Sequence, residues 1–205
     1  SYYMNPYVGC VMGCPFCYAA HRADFSRSIE GAPRRAWGRW VDAKVNLPEV
    51  LADEVTRLPP GFVRMSPIIT DPYQPIERKF RITRRVLEVL QPTAFRPVVL
   101  TRAERVLEDL DLLVRCTDAT LGVSIPTDDD DVRRAFEPGT DPVDGRLRAL
   151  EAASRAGLRT FVIVQPMLPL DPAKLVDAVA PHARAVRIGP LFEKHRIAEV
   201  HARLG

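Results

Sequence analysis

The chain has 205 residues, of which 46% are hydrophobic and 27% charged, and its net charge is +3. These values are ordinary for a globular protein, the length predicts a single domain over residues 1–205, and the net charge is too small to indicate nucleic-acid binding by itself. Apolar runs fall short of the roughly 20 residues of a membrane span and no signal peptide is visible, so we expect no membrane partner. Four cysteines, three of them in one loop, indicate a reducing cytoplasm rather than a disulfide framework.

Strand and helix patterns alternate along the chain. The predicted strands cover residues 2–7, 62–69, 97–100, 119–125, 161–164 and 185–188. The predicted helices cover residues 48–58, 82–90, 106–113, 142–156, 172–179 and 192–204, with a solvated helix start at 128–131. Residues 21–46 show no regular pattern. Asp141 and Asp171, each followed by proline, are predicted helix caps, and Gly157 is placed to end a helix.

Six strand–helix units predict an α/β fold, a partial (β/α)6 barrel of parallel strands with the cysteine loop after the first strand. A complete eight-unit barrel takes roughly 250 residues, so this length favours an open one. In such folds the chemistry gathers at the carboxyl ends of the strands. The unusual residues at these ends are Cys10, Thr70, Asp71, Arg102, Ser124, Gln165, Met167 and Gly189.

The cysteine loop carries Cys10, Cys14 and Cys17 at the spacing C-x3-C-x2-C. Gly9 and Gly13 allow positive φ, so a short loop of this kind can turn three thiols towards one point. Thiolates bind zinc and iron–sulfur clusters, but a structural zinc site needs a fourth protein ligand, for which the chain offers Cys116 or His21. Three ligands on a cubic cluster leave one iron open for chemistry. A zinc knuckle and a disulfide with a spare thiol are the alternatives.

With Phe16 as the aromatic residue before the last cysteine, C-x3-C-x-aromatic-C resembles the cluster motif of the radical S-adenosylmethionine (SAM) superfamily. This resemblance implies a [4Fe-4S] cluster held by the three cysteines, with SAM on the fourth iron. One electron from the cluster then cleaves SAM to methionine and a 5'-deoxyadenosyl radical. An electron donor of the flavodoxin or ferredoxin type is implied as a partner.

Beyond the cysteines, the chain is similar to the spore photoproduct lyase branch of that superfamily. The residues that carry the similarity are 5–7 and Gly9, Thr70 and Asp71, Thr101 and Arg102, 123–125, 136–140 and Arg146. The resemblance implies that Phe16 offers backbone contacts to the SAM adenine, and that Thr70 and Ser124 contact its methionine or ribose. Arg102 is implied to pair with the SAM carboxylate. Asp71 and Gln165 complete the expected cofactor-binding set.

One departure bears on the reaction. The lyases carry a hydrogen-donating cysteine three residues before the position of Asp71, and Ile68 stands there in this chain. We therefore expect a radical SAM enzyme that abstracts hydrogen from an organic substrate not yet identified. The alternatives are a lyase-like repair enzyme acting on pyrimidine photoproducts in nucleic acid, and a non-catalytic iron–sulfur or zinc module. Tyr18 and Tyr73 are candidates for radical transfer or for packing.

A mixture of arginines and tryptophans precedes the first long helix pattern. Its members are Arg34, Arg35, Arg39, Trp37 and Trp40. Aromatic rings among cations can stack on and neutralise nucleic acid. The competing interpretation is a surface excursion whose tryptophans pack on the domain.

Overall fold

The computed structural model of the chain describes residues 1–66 and 68–190. The strands in this part are β1 (Tyr2–Tyr3), β2 (Tyr7–Val8), β3 (Asp42–Ala43), β4 (Phe62–Met65), β5 (Arg96–Thr101), β6 (Thr120–Ser124), β7 (Arg159–Val164) and β8 (Ala185–Ile188). Strands β1, β4, β5, β6, β7 and β8 lie side by side in that order, and every neighbouring pair is parallel. Strands β2 and β3 form a separate antiparallel ribbon.

Helices connect the strands of the main sheet. They are α1 (Ala19–Ile29), α2 (Leu47–Glu54), α3 (Glu77–Phe80), α4 (Ile82–Leu90), a 3-10 helix (Glu104–Asp109), α5 (Leu110–Arg115), α6 (Asp130–Phe136), α7 (Val143–Arg155) and α8 (Pro172–Val179). Parallel neighbours joined through helices make an open α/β sheet, which confirms the predicted partial barrel. None of the helices within the described ranges is long and apolar enough to cross a membrane.

Helix α4 shows why the apolar pattern predicted the helices well. Its apolar residues Ile82, Val86, Leu87 and Leu90 recur at helical spacing, and all four are fully buried in the core. The arginines between them lie outside the buried stripe, as an amphipathic helix requires. The apolar spacing therefore dictates which side of this helix packs inward.

The first predicted strand, residues 2–7, is wrong in its extent. Tyr2 and Tyr3 pair with β4, whereas Tyr7 and Val8 leave the sheet and pair with β3 instead. Pro6 lies between the two pairs and has no backbone N–H to offer to a sheet ladder. The chain therefore turns out of the sheet before it reaches the cysteine loop.

Residues 21–46 are also more regular than predicted, because α1 covers the first part of this segment. The residues that α1 buries are mostly alanines, among them Ala19, Ala20 and Ala23. Small side chains give almost no hydrophobic periodicity, so the pattern that identifies other helices is missing here.

The helix ends partly follow the prediction. Asp171 caps α8, since its carboxylate accepts from the backbone N–H groups of Ala173 and Lys174, and Gly157 adopts φ +85° just after α7. Asp141 is not a cap: its carboxylate accepts from the backbone N–H of Glu104 at 2.6 Å, and Pro142 precedes α7.

Three further boundaries differ or remain open. The second strand of the main sheet ends at Met65 rather than at residue 69. The predicted helix 106–113 divides into the 3-10 helix and α5. The predicted last helix, 192–204, lies outside the described residues.

The register of the sheet brings the polar strand ends together. Thr101 at the end of β5 lies opposite Val123, and Ser124 at the end of β6 lies opposite Ile163. The carboxyl ends of β5, β6 and β7 therefore form one edge, next to the loop that carries the cysteines.

Candidate cofactor site

The cysteine loop, residues 9–17, is fixed to the sheet edge mainly through Gln74. The side-chain Oε1 of this fully buried glutamine accepts from the backbone N–H of Val11 at 2.9 Å, and its Nε2 donates to the carbonyl of Gly9 at 3.1 Å. Nε2 also donates to Thr70 Oγ1 at 2.6 Å, and the Thr70 hydroxyl donates to the same Gly9 carbonyl at 2.8 Å. Thr70 thus supports the loop itself.

Backbone groups hold the middle of the loop. The N–H of Gly139 donates to the carbonyl of Met12 at 3.0 Å. A Cβ added to Gly139 would lie 2.7 Å from that carbonyl oxygen, so only glycine permits this approach. The indole of Trp37 donates to the carbonyl of Cys14 at 3.1 Å. The loop is therefore held from several directions while its thiols stay uncommitted to disulfides.

The thiols of the loop are largely buried. Cys10 and Cys14 are buried and Cys17 is partly buried. Burial, with the charge of Asp71 as a smaller cause, raises the pKa of Cys10 to about 12, and burial raises the pKa of Cys14 well above its ordinary value. Thiols bind metal as thiolates, so binding here releases protons.

In the described ranges no group of three or more His, Cys, Asp or Glu side chains is arranged around one ion. In a cubic cluster each thiolate binds a different iron, so this finding concerns single-ion sites. The donor set itself, three thiols within eight residues, two of them buried and one partly buried, fits an iron–sulfur cluster.

A buried charge network lies beside the loop. Glu137 is fully buried, and its two carboxylate oxygens accept from Arg102 Nε at 2.6 Å and Arg146 Nη1 at 2.7 Å. Burial alone would raise the pKa of Glu137, but Arg146 and Arg102 outweigh it and hold that pKa below its usual range. Burial would lower the pKa of Arg102, but Glu137, with smaller contributions from the nearby Cys14 and Cys17, raises it.

Asp71 joins the ends of two strands. Its Oδ1 accepts from the Thr101 hydroxyl at 2.6 Å and from the backbone N–H of Tyr73 at 2.9 Å, and its Oδ2 accepts from the backbone N–H of Arg102 at 2.9 Å. The aspartate therefore has protein partners on both carboxylate oxygens, and it positions Arg102 at the carboxyl edge of the sheet. Burial raises the pKa of this carboxyl despite these hydrogen bonds.

Ser124 differs from the other candidates because its hydroxyl is buried and has no hydrogen-bond partner among residues 1–66 and 68–190. Buried polar atoms are almost always paired, so this hydroxyl is available to a partner beyond the described residues, such as a bound cofactor. Its position at the end of β6 fits a cofactor that enters over the sheet edge. This hydroxyl is the observation that tests whether the residues present suit SAM.

Gln165 and Phe16 complete the predicted set. Gln165 is partly buried. Its backbone carbonyl accepts from Arg102 Nη2 at 3.3 Å, and its side chain packs closely on Gly189. Phe16 is buried within the loop. The structure thus places Thr70, Asp71, Arg102 and Gln165 in one hydrogen-bonded arrangement.

Other candidates lie elsewhere or have another partner. The thiol of Cys116 faces the carbonyl of Leu87 at 4.0 Å, between helices α4 and α5. His21 lines a surface groove on α1. The buried Tyr73 donates its hydroxyl to Asp109 at 3.0 Å. Tyr18 is half exposed and lies beside Arg22.

The two tryptophans pack on the domain, as the second of the two interpretations predicted. Trp40 is buried against Gly9, with the guanidinium of Arg27 4.6 Å from its ring. Trp37 is partly buried, and its indole N–H donates to the backbone carbonyl of Cys14. Arg34 and Arg35 remain exposed on the surface.

Sequence reasoning missed two residues of the site. Gln74 lies in the segment 70–77, whose density of unusual residues marked it as more than a connection, but no pattern gave the glutamine a role. Glu137 lies in the segment 136–140 that carries part of the resemblance. Its two arginine partners come from 35 positions before it and 9 positions after it, a contact that spacing does not reveal.

The fold and the cysteine loop define a class of protein. The sequence model of the Radical SAM superfamily matches residues 4–179, and the chain belongs to this superfamily. It is therefore an enzyme of the radical SAM class, and the cofactors of this class are a [4Fe-4S] cluster and SAM.

Two curated relatives illustrate the similarity. One is an uncharacterised protein of Methanocaldococcus jannaschii, 28% identical over 169 residues, which are 82% of this chain and 61% of the relative. Another is an uncharacterised protein of Acidianus two-tailed virus, 32% identical over 170 residues, which are 81% of this chain and 56% of the relative. The chain thus spans little more than half the length of these relatives.

Solved structures show the same fold. A mutant spore photoproduct lyase with bound AdoMet and dinucleoside spore photoproduct superposes with a TM-score of 0.66 at 19% identity, over 97% of this chain and 59% of the lyase. The enzyme anSMEcpe with bound AdoMet and a peptide superposes with a TM-score of 0.55 at 10% identity, over 94% of this chain and 51% of that enzyme. At these identities the likeness concerns the fold.

We predict that Gly139→Ala displaces the cysteine loop. The new Cβ would meet the backbone of Met12, which cannot move aside as a flexible side chain would. We expect a loss of about 1–3 kcal/mol in the free energy of unfolding and iron content after anaerobic reconstitution below half that of the unaltered chain. Gly61→Ala is the control, since its Cβ would meet the side-chain ring of Tyr2 at 3.2 Å and reach the backbone oxygen of Pro59 only at 4.0 Å, an ordinary contact. Equal iron content in both variants would contradict the prediction.

We predict that Glu137→Gln is strongly destabilising at neutral pH. The change removes the carboxylate that pairs with the buried guanidinium groups of Arg102 and Arg146, and it leaves their charges uncompensated. We expect a loss of about 3–5 kcal/mol in urea unfolding. Glu104→Gln, which weakens the exposed pair with Arg148, is expected to cost less than about 1 kcal/mol. Similar losses in the two variants would refute this account.

Because the folded-state pKa of Glu137 is depressed, its ionised form stabilises the fold above the unfolded pKa, and this stabilisation is lost as the pH falls through the folded pKa. The gap in stability between the unaltered chain and Glu137→Gln is therefore expected to narrow on acidification. Unfolding curves at a series of pH values measure that gap.

Proposed function

We propose that this chain forms a 5'-deoxyadenosyl radical from SAM and uses it to abstract hydrogen from an organic substrate. The observation that carries the proposal is the loop of three largely buried, unbridged thiols anchored at the carboxyl end of the sheet, where the Ser124 hydroxyl has no partner among the described residues. A structural metal site would need a fourth ligand, and Cys116 packs against Leu87 instead.

We assign the residues of the site as follows. Cys10, Cys14 and Cys17 hold the cluster, and Phe16, Thr70, Asp71, Arg102, Ser124 and Gln165 form the SAM pocket. When bound, the cluster supplies the electron that splits SAM into methionine and the 5'-deoxyadenosyl radical. Arg102 offers its cationic group to the SAM carboxylate, and Asp71 and Glu137 orient it for that contact. Ser124 offers its hydroxyl to a polar atom of SAM.

The burial of these groups has a chemical purpose in this proposal. The side chains around the thiols are largely shielded from water, which protects a reactive radical from side reactions. The protein supplies binding, orientation and exclusion of water, as it does in cofactor enzymes generally.

The same proposal covers the electron donor, the compartment and the extent of the domain. The electron donor is a flavodoxin or ferredoxin type protein, the compartment is the cytoplasm, and residues 1–205 act as one core domain. The substrate class stays open. A photoproduct lyase reaction receives less support, because Ile68 stands where the lyase mechanism uses a cysteine and carries no thiol hydrogen to transfer.

The experiment that tests the proposal uses anaerobically reconstituted chain. We expect about four irons and four sulfides per chain, and 5'-deoxyadenosine formation when SAM and dithionite are added. We expect each of the single variants Cys10→Ala, Cys14→Ala and Cys17→Ala to reduce 5'-deoxyadenosine formation at least about 100-fold. Cys116→Ala is the matched control, and we expect it to form 5'-deoxyadenosine as the unaltered chain does. Bound zinc, or a cluster that leaves SAM intact under reduction, would overturn the proposal in favour of a non-catalytic module.

A second prediction concerns Ser124→Ala. Its hydroxyl has no hydrogen-bond partner within the part of the chain that the structure describes, so we expect no loss in the free energy of unfolding, whereas the dissociation constant for SAM rises about tenfold, the value of one hydrogen bond. Thr127→Val is the contrasting control. The Thr127 hydroxyl donates to Pro169 at 2.6 Å and accepts from Asp129, so its removal lowers stability and leaves SAM binding unchanged. Loss of stability without loss of SAM affinity in Ser124→Ala would assign the serine a structural role.

A further inference from the structure

An open groove lies on the surface beside the cysteine loop. It has a volume of about 530 Å³, and its charged and aromatic lining consists of His21 and Asp24 of α1 with Arg34, Arg35 and Trp37 of the following segment. We call it the arginine groove. None of these five residues was assigned to the cluster or to the SAM pocket.

The arginine groove lies in a basic stretch of the chain. Residues 18–40 contain five arginines against Asp24 and Glu30, and within the described part of the chain only the buried Arg27 among these arginines pairs with an acidic residue beyond the stretch, Asp42. The side chain of Arg34 is 87% exposed, and its guanidinium lies 3.9 Å from Asp24, a pairing too long and too hydrated to neutralise it. A partner with an acidic surface would find a complementary field here.

Trp37 connects the groove to the cysteine loop. Trp37 lines the groove, and its Nε1–H donates to the backbone carbonyl of Cys14, a predicted cluster ligand, at 3.1 Å. The next residue, Gly38, packs against Gly13 of the same loop. A molecule seated in the groove would therefore be separated from the loop by little more than one indole ring.

We propose that the arginine groove is the docking surface for an acidic, one-electron carrier protein, an inference that rests on the proposed function. On docking, the reduced carrier is oxidised by one electron and the cluster is reduced by one, and no covalent bond forms or breaks. Encounters between electron-transfer proteins are small and transient, and charge complementarity guides them. The strand-end side of the loop stays available for SAM and substrate, because the carrier approaches along residues 34–38.

Single-stranded nucleic acid is the competing occupant, and the rings argue against it. Binding without sequence preference combines cations with aromatic faces on which bases stack. Trp40 is buried beneath Arg27, and Trp37 is partly buried and fixed by its hydrogen bond to Cys14. The groove thus offers two arginines and a single ring, too few faces for successive bases to stack on, which suits an acidic protein surface better.

The test reverses charge on the groove and measures binding and electron transfer separately. The variant is Arg34→Glu with Arg35→Glu, in reconstituted protein. The control is Arg155→Glu with Arg184→Glu, which makes the same change in net charge at exposed positions near the amino ends of β7 and β8. The readouts are the dissociation constant for oxidised flavodoxin, and the rate at which the visible cluster absorbance bleaches with flavodoxin hydroquinone or with dithionite.

We expect the groove variant to bind oxidised flavodoxin about tenfold more weakly and to bleach about tenfold more slowly with flavodoxin at low salt. Bleaching and 5'-deoxyadenosine formation with dithionite are expected to match the unaltered chain, since a small reductant needs no docking surface. The control variant is expected to behave as the unaltered chain in every assay.

Two results would overturn the docking proposal and leave the proposed function intact. One is unchanged flavodoxin binding and bleaching in the groove variant, or an equal fall in the control. The other is loss of binding to a single-stranded DNA oligonucleotide in the groove variant with flavodoxin behaviour unchanged, which would assign the groove to nucleic acid. Absence of a reducible cluster in the unaltered chain would instead overturn the proposed function, and the docking proposal with it.

Discussion

The hydrogen bonds of Gln74 to the cysteine loop are the interaction on which the site depends. The loop has no strand pairing of its own along residues 9–17, and each ordered residue loses about 1–2 kcal/mol of backbone entropy. Gln74 satisfies an N–H and a carbonyl of the loop and fixes Thr70 against the same carbonyl. The glutamine is fully buried, so these bonds form without competition from water, and leaving their partners unmade would be costly. The position of the thiols is therefore set by the segment after β4, far away in the sequence.

A second constraint is electrostatic. Glu137 joins Arg102 from the end of β5 to Arg146 of α7, and Arg146 also donates to the carbonyl of Ser124 at 3.0 Å. Buried charges are tolerated only when they are paired and hydrogen-bonded, so the three elements must dock in one arrangement. The network contains two arginines and one glutamate, and Arg102 brings it next to Cys14 and Cys17.

The fold alone leaves the substrate undetermined. The structures that superpose on this chain bind unlike molecules, a dinucleoside photoproduct in one case and a peptide in another. Function lies in the residues placed on a shared scaffold. In the proposals above, Ile68 bears on the substrate and the arginine groove bears on the supply of electrons.

The sequence by itself determined the superfamily, the alternation of strands and helices, and the apolar side of α4, because these depend on local spacing: three cysteines within eight residues, and apolar residues at helical period. It also indicated which strand ends carry polar residues. Only the tertiary structure decided that Gln74 clamps the loop, that Glu137 pairs with two arginines, and that Asp71 has protein partners on both oxygens. It also decided that Tyr7 and Val8 leave the main sheet and that α1 packs on the domain mainly through alanines. These outcomes depend on contacts between residues far apart in the chain, and a hydrogen bond between distant side chains leaves no periodic trace in the sequence.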